Sequence, residues 1–131
     1  MARVDCILVA NWTPADGNIA AGDNRTSTTV VACPLAFESA KGAPLDIVTT
    51  VTCDQPGTIA VYQGTRVQDF AGLPAAPPAG TLVHVAGPFP VVANTPLSTI
   101  VAFQAPVIAV QWLNGINIAT VLRLWAGIRY R

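Results

Sequence analysis

Leu45-Asp46-Ile47-Val48-Thr49-Thr50-Val51-Thr52-Cys53-Asp54-Gln55-Pro56-Gly57-Thr58-Ile59-Ala60-Val61-Tyr62-Gln63 carries two alternating runs around a turn sequence. Successive side chains of a strand point to opposite faces, so Leu45, Ile47, Thr49, Val51 and Cys53 share one side of an extended chain. Ile47, Thr49 and Val51 among them are β-branched, which suits a pleated, half-buried surface. In Asp54-Gln55-Pro56-Gly57, proline presets φ for the second turn position and glycine accepts a positive φ at the third. That combination predicts a type II turn. Residues 58–63 are then expected to return as the partner strand of a hairpin. Ile59, Val61 and Gln63 fall on one of its faces, Ala60 and Tyr62 on the other.

The same texture extends outward from this segment. Toward the amino end, residues 26–33 form a Thr/Val-rich strand that stops at Pro34, and residues 34–41 are a short helical candidate closed by Gly42. Residues 64–80 break the pattern, and Gly72-Leu73-Pro74-Ala75-Ala76-Pro77-Pro78-Ala79-Gly80 reads as an extended, partly polyproline loop. Strands are expected again at 81–85, 88–92 and 98–103. Residues 106–113 set Ile108, Val110 and Trp112 against Ala109, Gln111 and Leu113. Asn114-Gly115 is a tight-turn signal, which predicts a second hairpin with residues 118–126. There Leu122, Leu124 and Ala126 oppose Val121, Arg123 and Trp125. About eight short strands punctuated by proline and glycine predict an all-β fold: a two-sheet antiparallel β-sandwich or jelly roll. Residues 1–24 differ, with no sustained period and many turn formers, and read as an N-terminal arm or a first strand. Residues 25–131 make up the sandwich domain.

Composition narrows the function. The chain has 131 residues, enough for one domain that buries roughly two-thirds of its unfolded surface. Charged residues make up 11%, less than half the usual share of about 25%. Seven basic and seven acidic residues cancel, and they are scattered. Without a basic stripe to neutralise phosphates, nucleic acid is not expected as a partner. Arg123, Arg129 and Arg131 are the one local excess and read as a strand end. No apolar run approaches the ~20 residues of a spanning helix, so no membrane segment is expected. The start of the chain does not read as a secretory signal. Cys6, Cys33 and Cys53 are odd in number and widely spaced, and they read as buried thiols, with one disulfide as the alternative. So few charges and no net charge point to a surface covered by other subunits.

No catalytic constellation emerges. His84 is the sole histidine, and a general base needs an orienting partner and a nucleophile that no motif places beside it. It reads as a strand-face residue. The cysteine spacing fits no metal site, and Asp16, Asp23 and Asp54 are turn residues first. Asp16-Gly17-Asn18 with Asp23-Asn24 lacks the regular spacing of a calcium loop. The chain is therefore expected to be no enzyme and to need no cofactor or metal. Trp12, Trp112, Trp125, Tyr62 and Tyr130 read either as fillers of core and subunit seams or as a sugar platform, with the first preferred. Trp125 shares its face with Arg123, which suits an interface. Val4, Ile7, Leu8 and Trp12 near the start, with Trp125, Arg129 and Tyr130 near the end, are the expected contact residues.

Val51-Thr52-Cys53-Asp54-Gln55-Pro56-Gly57-Thr58-Ile59-Ala60-Val61-Tyr62-Gln63, Val107-Ile108-Ala109-Val110-Gln111-Trp112-Leu113-Asn114-Gly115 and Thr120-Val121-Leu122-Arg123-Leu124 together resemble a β-sandwich domain of tailed-bacteriophage virion proteins. The likeness covers roughly residues 45–126. An arginine frequent in the penultimate strand of those domains is replaced here by Ala109 and Gln111, and the loop after the first hairpin is unusually proline-rich. The resemblance implies a capsid decoration (cement) protein on the capsid surface of a virion. Its partner would be the major capsid protein, and a homotrimer is the usual form. A head-fibre or tail module that binds a receptor or carbohydrate is the alternative it implies.

Overall fold

The computed structural model describes residues 6–12, 19–30, 44–70 and 82–130. The fold is all-β, with eight strands: β1 (Cys6–Trp12), β2 (Asn24–Val30), β3 (Pro44–Cys53), β4 (Gly57–Gly64), β5 (His84–Val91), β6 (Leu97–Ala102), β7 (Val107–Asn114) and β8 (Leu122–Tyr130). They form two antiparallel four-stranded sheets, ordered β1-β8-β3-β6 and β2-β7-β4-β5. This is the jelly-roll order, in which most consecutive strands lie in opposite sheets. Cys6–Trp12 is not detached from the sandwich. It pairs with β8, with Asn11 opposite Trp125 and Trp12 opposite Leu124. The helical candidate at 34–41 and the proline-rich loop at 72–80 lie outside the described residues.

Both hairpin expectations need correction. β3 and β4 belong to different sheets, and so do β7 and β8. The linkers after Cys53 and Asn114 are arches that carry the chain across the core. Alternation specifies which face of a strand turns inward, but an arch satisfies it as well as a hairpin does. Backbone bonding decides between them. Asp54 N–H donates to Val121 O (3.0 Å), Asn94 N–H to Cys53 O (2.7 Å) and Gly115 N–H to Pro56 O (3.2 Å). Gly57 has no positive φ, and neither has Asn114 or Gly115. Gly57 is needed for a different reason: a Cβ there would lie 2.4 Å from Trp112 Cζ2. The strands expected at 81–85 and 88–92 are likewise one strand, β5. Its register against β4 slips between Ile59 and Val61, beside a cis Gly87–Pro88 peptide.

The core fills the space between the sheets. Ile47, Val51 and Cys53 of β3 and Leu122, Leu124, Ala126, Ile128 and Tyr130 of β8 face Ile59, Val61, Ile108, Val110 and Trp112. Each large aliphatic side chain buried here contributes about 1.5–3 kcal/mol. A second cluster covers the outer face of β4 and β7, where Ala60, Tyr62, Val107 and Ala109 pack with Phe70 and Val83. Phe70 arrives on a 3₁₀ turn, Val67–Phe70, that the sequence pattern did not reveal. Gln63 is the polar residue in the inward row of β4. Its amide donates to Ala102 O (2.9 Å) and accepts from Gln104 N (2.7 Å), clasping one sheet to the end of the other.

Candidate contact surfaces

The linkers β1–β2, β3–β4, β5–β6 and β7–β8 meet at one end of the sandwich. Ile19 and Ala119 exchange backbone bonds of 2.8 and 3.0 Å, and Gly22 N–H donates to Gly115 O (2.8 Å). Asn114 reaches back with its side-chain amide to the carbonyls of Ile19 (3.1 Å), Ala20 (3.1 Å) and Asn117 (2.8 Å). The Asp54 carboxylate accepts from Thr120 N (3.0 Å), Thr120 Oγ1 (2.6 Å) and Val121 N (3.0 Å). Partial burial alone would raise the pKa of Asp54. The hydrogen bonds from Thr120 and Val121 outweigh it and hold the carboxyl below its ordinary value.

This stitched end presents an apolar patch. Ile116 is 92% exposed, and Ile118 and Val92 are also well exposed. Beside Ile116, a shallow depression of about 420 Å³ is lined by Pro56, Gly57, Thr58, Leu113, Asn114 and Gly115. Among the described residues, no charged side chain lines it. Such a surface offers shape and dispersion contact.

The outer face of the first sheet is the second surface. Its register sets Trp125 between Asn11 of β1 and Thr50 of β3, with Ser98 of β6 beyond Thr50. The next row brings Gly127 beside Val48 and the exposed Ile100. The indole of Trp125 reaches over Gly127: a Cβ at Gly127 would stand 2.5 Å from Trp125 Cη2. Trp125 nevertheless stays 37% exposed. A groove of about 320 Å³ runs beside it, lined by Asn11, Trp12, Thr50, Thr52, Arg123, Leu124 and Trp125.

Of the expected contact residues, the structure brings Trp12 and Trp125 together in this groove. Arg129 is half-buried two rows away, donating through Nε to Asp46 Oδ1 at 2.9 Å. Tyr130 is buried in the core cluster. Ile7 and Leu8 pair through their backbones with Ile128 and Gly127. Their side chains, and Val4, lie outside the described set. Trp112 is fully buried and Trp125 is not, so the two tryptophans divide between core and surface. Ile116, Ile118, Val92, Ile100, Thr50 and Thr52 went unmarked in the sequence reading. Isoleucines inside Asn114-Gly115-Ile116-Asn117-Ile118, a turn-forming context, were the available signal for the loop end.

His84 is exposed on β5. Cys53 is a free, buried thiol that burial pushes above its ordinary pKa. Among the described residues no three of His, Cys, Asp and Glu gather as metal ligands, and no helix is long and apolar enough to cross a membrane.

No protein-family model and no curated protein matches the sequence. Among solved structures, the crystal structure of the PBSX exported protein XepA is similar, with a TM-score of 0.61 at 11% sequence identity. The match covers 97% of this chain and 37% of that one. At this identity the likeness speaks for the fold alone.

Proposed function

We propose that this chain is a structural virion protein of a tailed phage that works by surface contact, not as an enzyme. In this reading it is a decoration (cement) protein on the outer face of the capsid, with the major capsid protein as its partner. The observation that carries the reading is the stitched loop end, which holds Ile116, Ile118 and Val92 out to solvent on hydrogen-bonded arches. A preorganised apolar tip loses little freedom on docking, so modest contacts repeated around a lattice add up by avidity. The virion-domain resemblance supports the setting. The fold shared with the PBSX protein agrees with a phage-linked origin at the level of architecture.

A homotrimer is proposed as the working form, and the sheet edges support self-association. β5 is an edge strand blunted by Pro88 and Pro90, whereas edge strand β6, Leu97-Ser98-Thr99-Ile100-Val101-Ala102, has neither proline nor charge. To test the shell reading, purified protein would be mixed with undecorated shells and imaged by electron microscopy. Regular density on the shell lattice is expected, and Ile116→Asp with Ile118→Asp should strip it away. Bare shells, with labelling only of host cells, would overturn the proposal.

A further inference from the structure

We propose that the groove beside Trp125 is a saccharide-binding site that prefers sugars bearing a carboxylate. The platform is Trp125, whose ring lies over the backbone of Gly127 on one side and keeps 37% of the residue open to solvent. An aromatic face carries negative charge density and attracts the electropositive C–H face of a pyranose ring. Core packing does not account for this tryptophan, because Trp112 and the residues around it close the core from within. The ring is fixed against the sheet, so little rotamer freedom is lost when a ligand stacks on it.

Around the platform stands a polar fringe. Asn11, Thr50 and Thr52 offer both donors and acceptors, which suits hydroxyl groups that play both parts. Thr50 lies directly across from Trp125 in the sheet register, and its Oγ1 is 3.1 Å from Ser98 Oγ of β6 on the side away from Trp125. Arg123, opposite Thr52, is the one charged side chain among the described residues of the lining, and none of these is an acid. A guanidinium that no carboxylate among the described residues faces is a fork for a carboxylate on the ligand. At about 320 Å³ the groove is at the small end of ligand sites, which fits one or two sugar rings. The loop end, by contrast, lacks this mixture of ring, hydroxyls and cation.

The site is independent of the shell reading. Sugar binding without lattice binding would make the chain a glycan-facing module, and lattice binding without sugar binding would leave the cement reading intact. The test is an NMR titration of the indole N–H resonances with hyaluronan tetrasaccharide, which carries uronates, and with neutral chitotetraose. Trp125 and Trp12 are expected to shift while buried Trp112 does not, with the acidic sugar binding several-fold more tightly in the millimolar range. Arg123→Gln should erase that preference and leave the stacking shift in place. Trp125→Ala should abolish binding of both sugars. Gly127→Ala, which pushes the ring off its seat, should weaken both in a protein whose amide spectrum remains folded. An absence of indole shifts with either sugar up to about 10 mM, the weak end of specific recognition, would overturn the proposal. Shifts that persist in the Trp125→Ala protein would also overturn it.

Discussion

A methyl group at Gly57 would stand 2.4 Å from Trp112 Cζ2 and 2.6 Å from the Leu113 carbonyl oxygen. Both neighbours are fixed, one a fully buried ring and the other backbone in β7. Gly57→Ala is therefore expected to cost about 1–3 kcal/mol, as overpacking does, and to lower the urea midpoint accordingly. At Gly127 the obstacle is the outer end of half-exposed Trp125, which such a clash would push off its seat into solvent and not into the core. Gly127→Ala should leave the midpoint within about 0.5 kcal/mol of the parent, in the range of surface substitutions. In sequence, Gly57 looked like a turn glycine chosen for its φ. Its real constraint comes from Trp112, which no local window contains. Asp54 invites a second measurement at this scale. Its folded pKa lies below the ordinary 3.8, so its contribution is fully present above that value and fades as pH falls through the lowered one. Asp54→Ala should cost about 1–2 kcal/mol at pH 7, a modest figure because solvent screens the site. The gap in urea midpoint between the two proteins should shrink steadily below pH 3.8. A gap independent of pH would show that the carboxylate's charge is not what holds the arch.

At the scale of elements, alternation was a faithful guide to strands and to their inward faces. Ile47, Val51 and Cys53 in β3, and Ile108, Val110 and Trp112 in β7, are buried as their spacing requires. Strand partnership was not legible, because a turn sequence between two strands serves an arch and a hairpin alike. The bonds that choose the arch come from other linkers: Val121, Asn94 and the Asp54–Thr120 contacts. Edges share this non-local character, since a strand becomes an edge only through the order of the whole sheet. That is why Leu97–Ala102 looked like any other strand in sequence. Here it is an uncharged edge bearing exposed Ile100. Ile100→Lys places a charge on that edge, a device that discourages edge-to-edge pairing. Light scattering should then report a smaller mean mass than for the parent, with unchanged far-ultraviolet circular dichroism. An unaltered mass would remove β6 from the proposed self-association.

For the molecule as a whole, the order β1-β8-β3-β6 and β2-β7-β4-β5 leaves β4 and β5 as the one sequence-consecutive pair that is also paired in space. Every other ladder joins distant parts of the chain, so no half of the sequence builds a sheet alone. Contacts of this kind delay folding, because loops must close before pairing is rewarded. They also make unfolding cooperative. β3 sits between β8 and β6, and Cys53 at its end is fully buried beneath both sheets. Burial keeps that thiol protonated above its ordinary pKa, so a thiolate-selective reagent has neither access nor a nucleophile in the native state. Iodoacetamide labelling of the Cys53 peptide, followed by mass spectrometry across a urea series, is expected to rise along the same curve as the fluorescence change of Trp112, buried in the same core. Coincident curves are the signature of one transition. Labelling at urea concentrations where the fluorescence is still native would instead show that β3 opens locally, and the arch at Asp54, not the jelly roll as a unit, would then be the first part of the fold to give way.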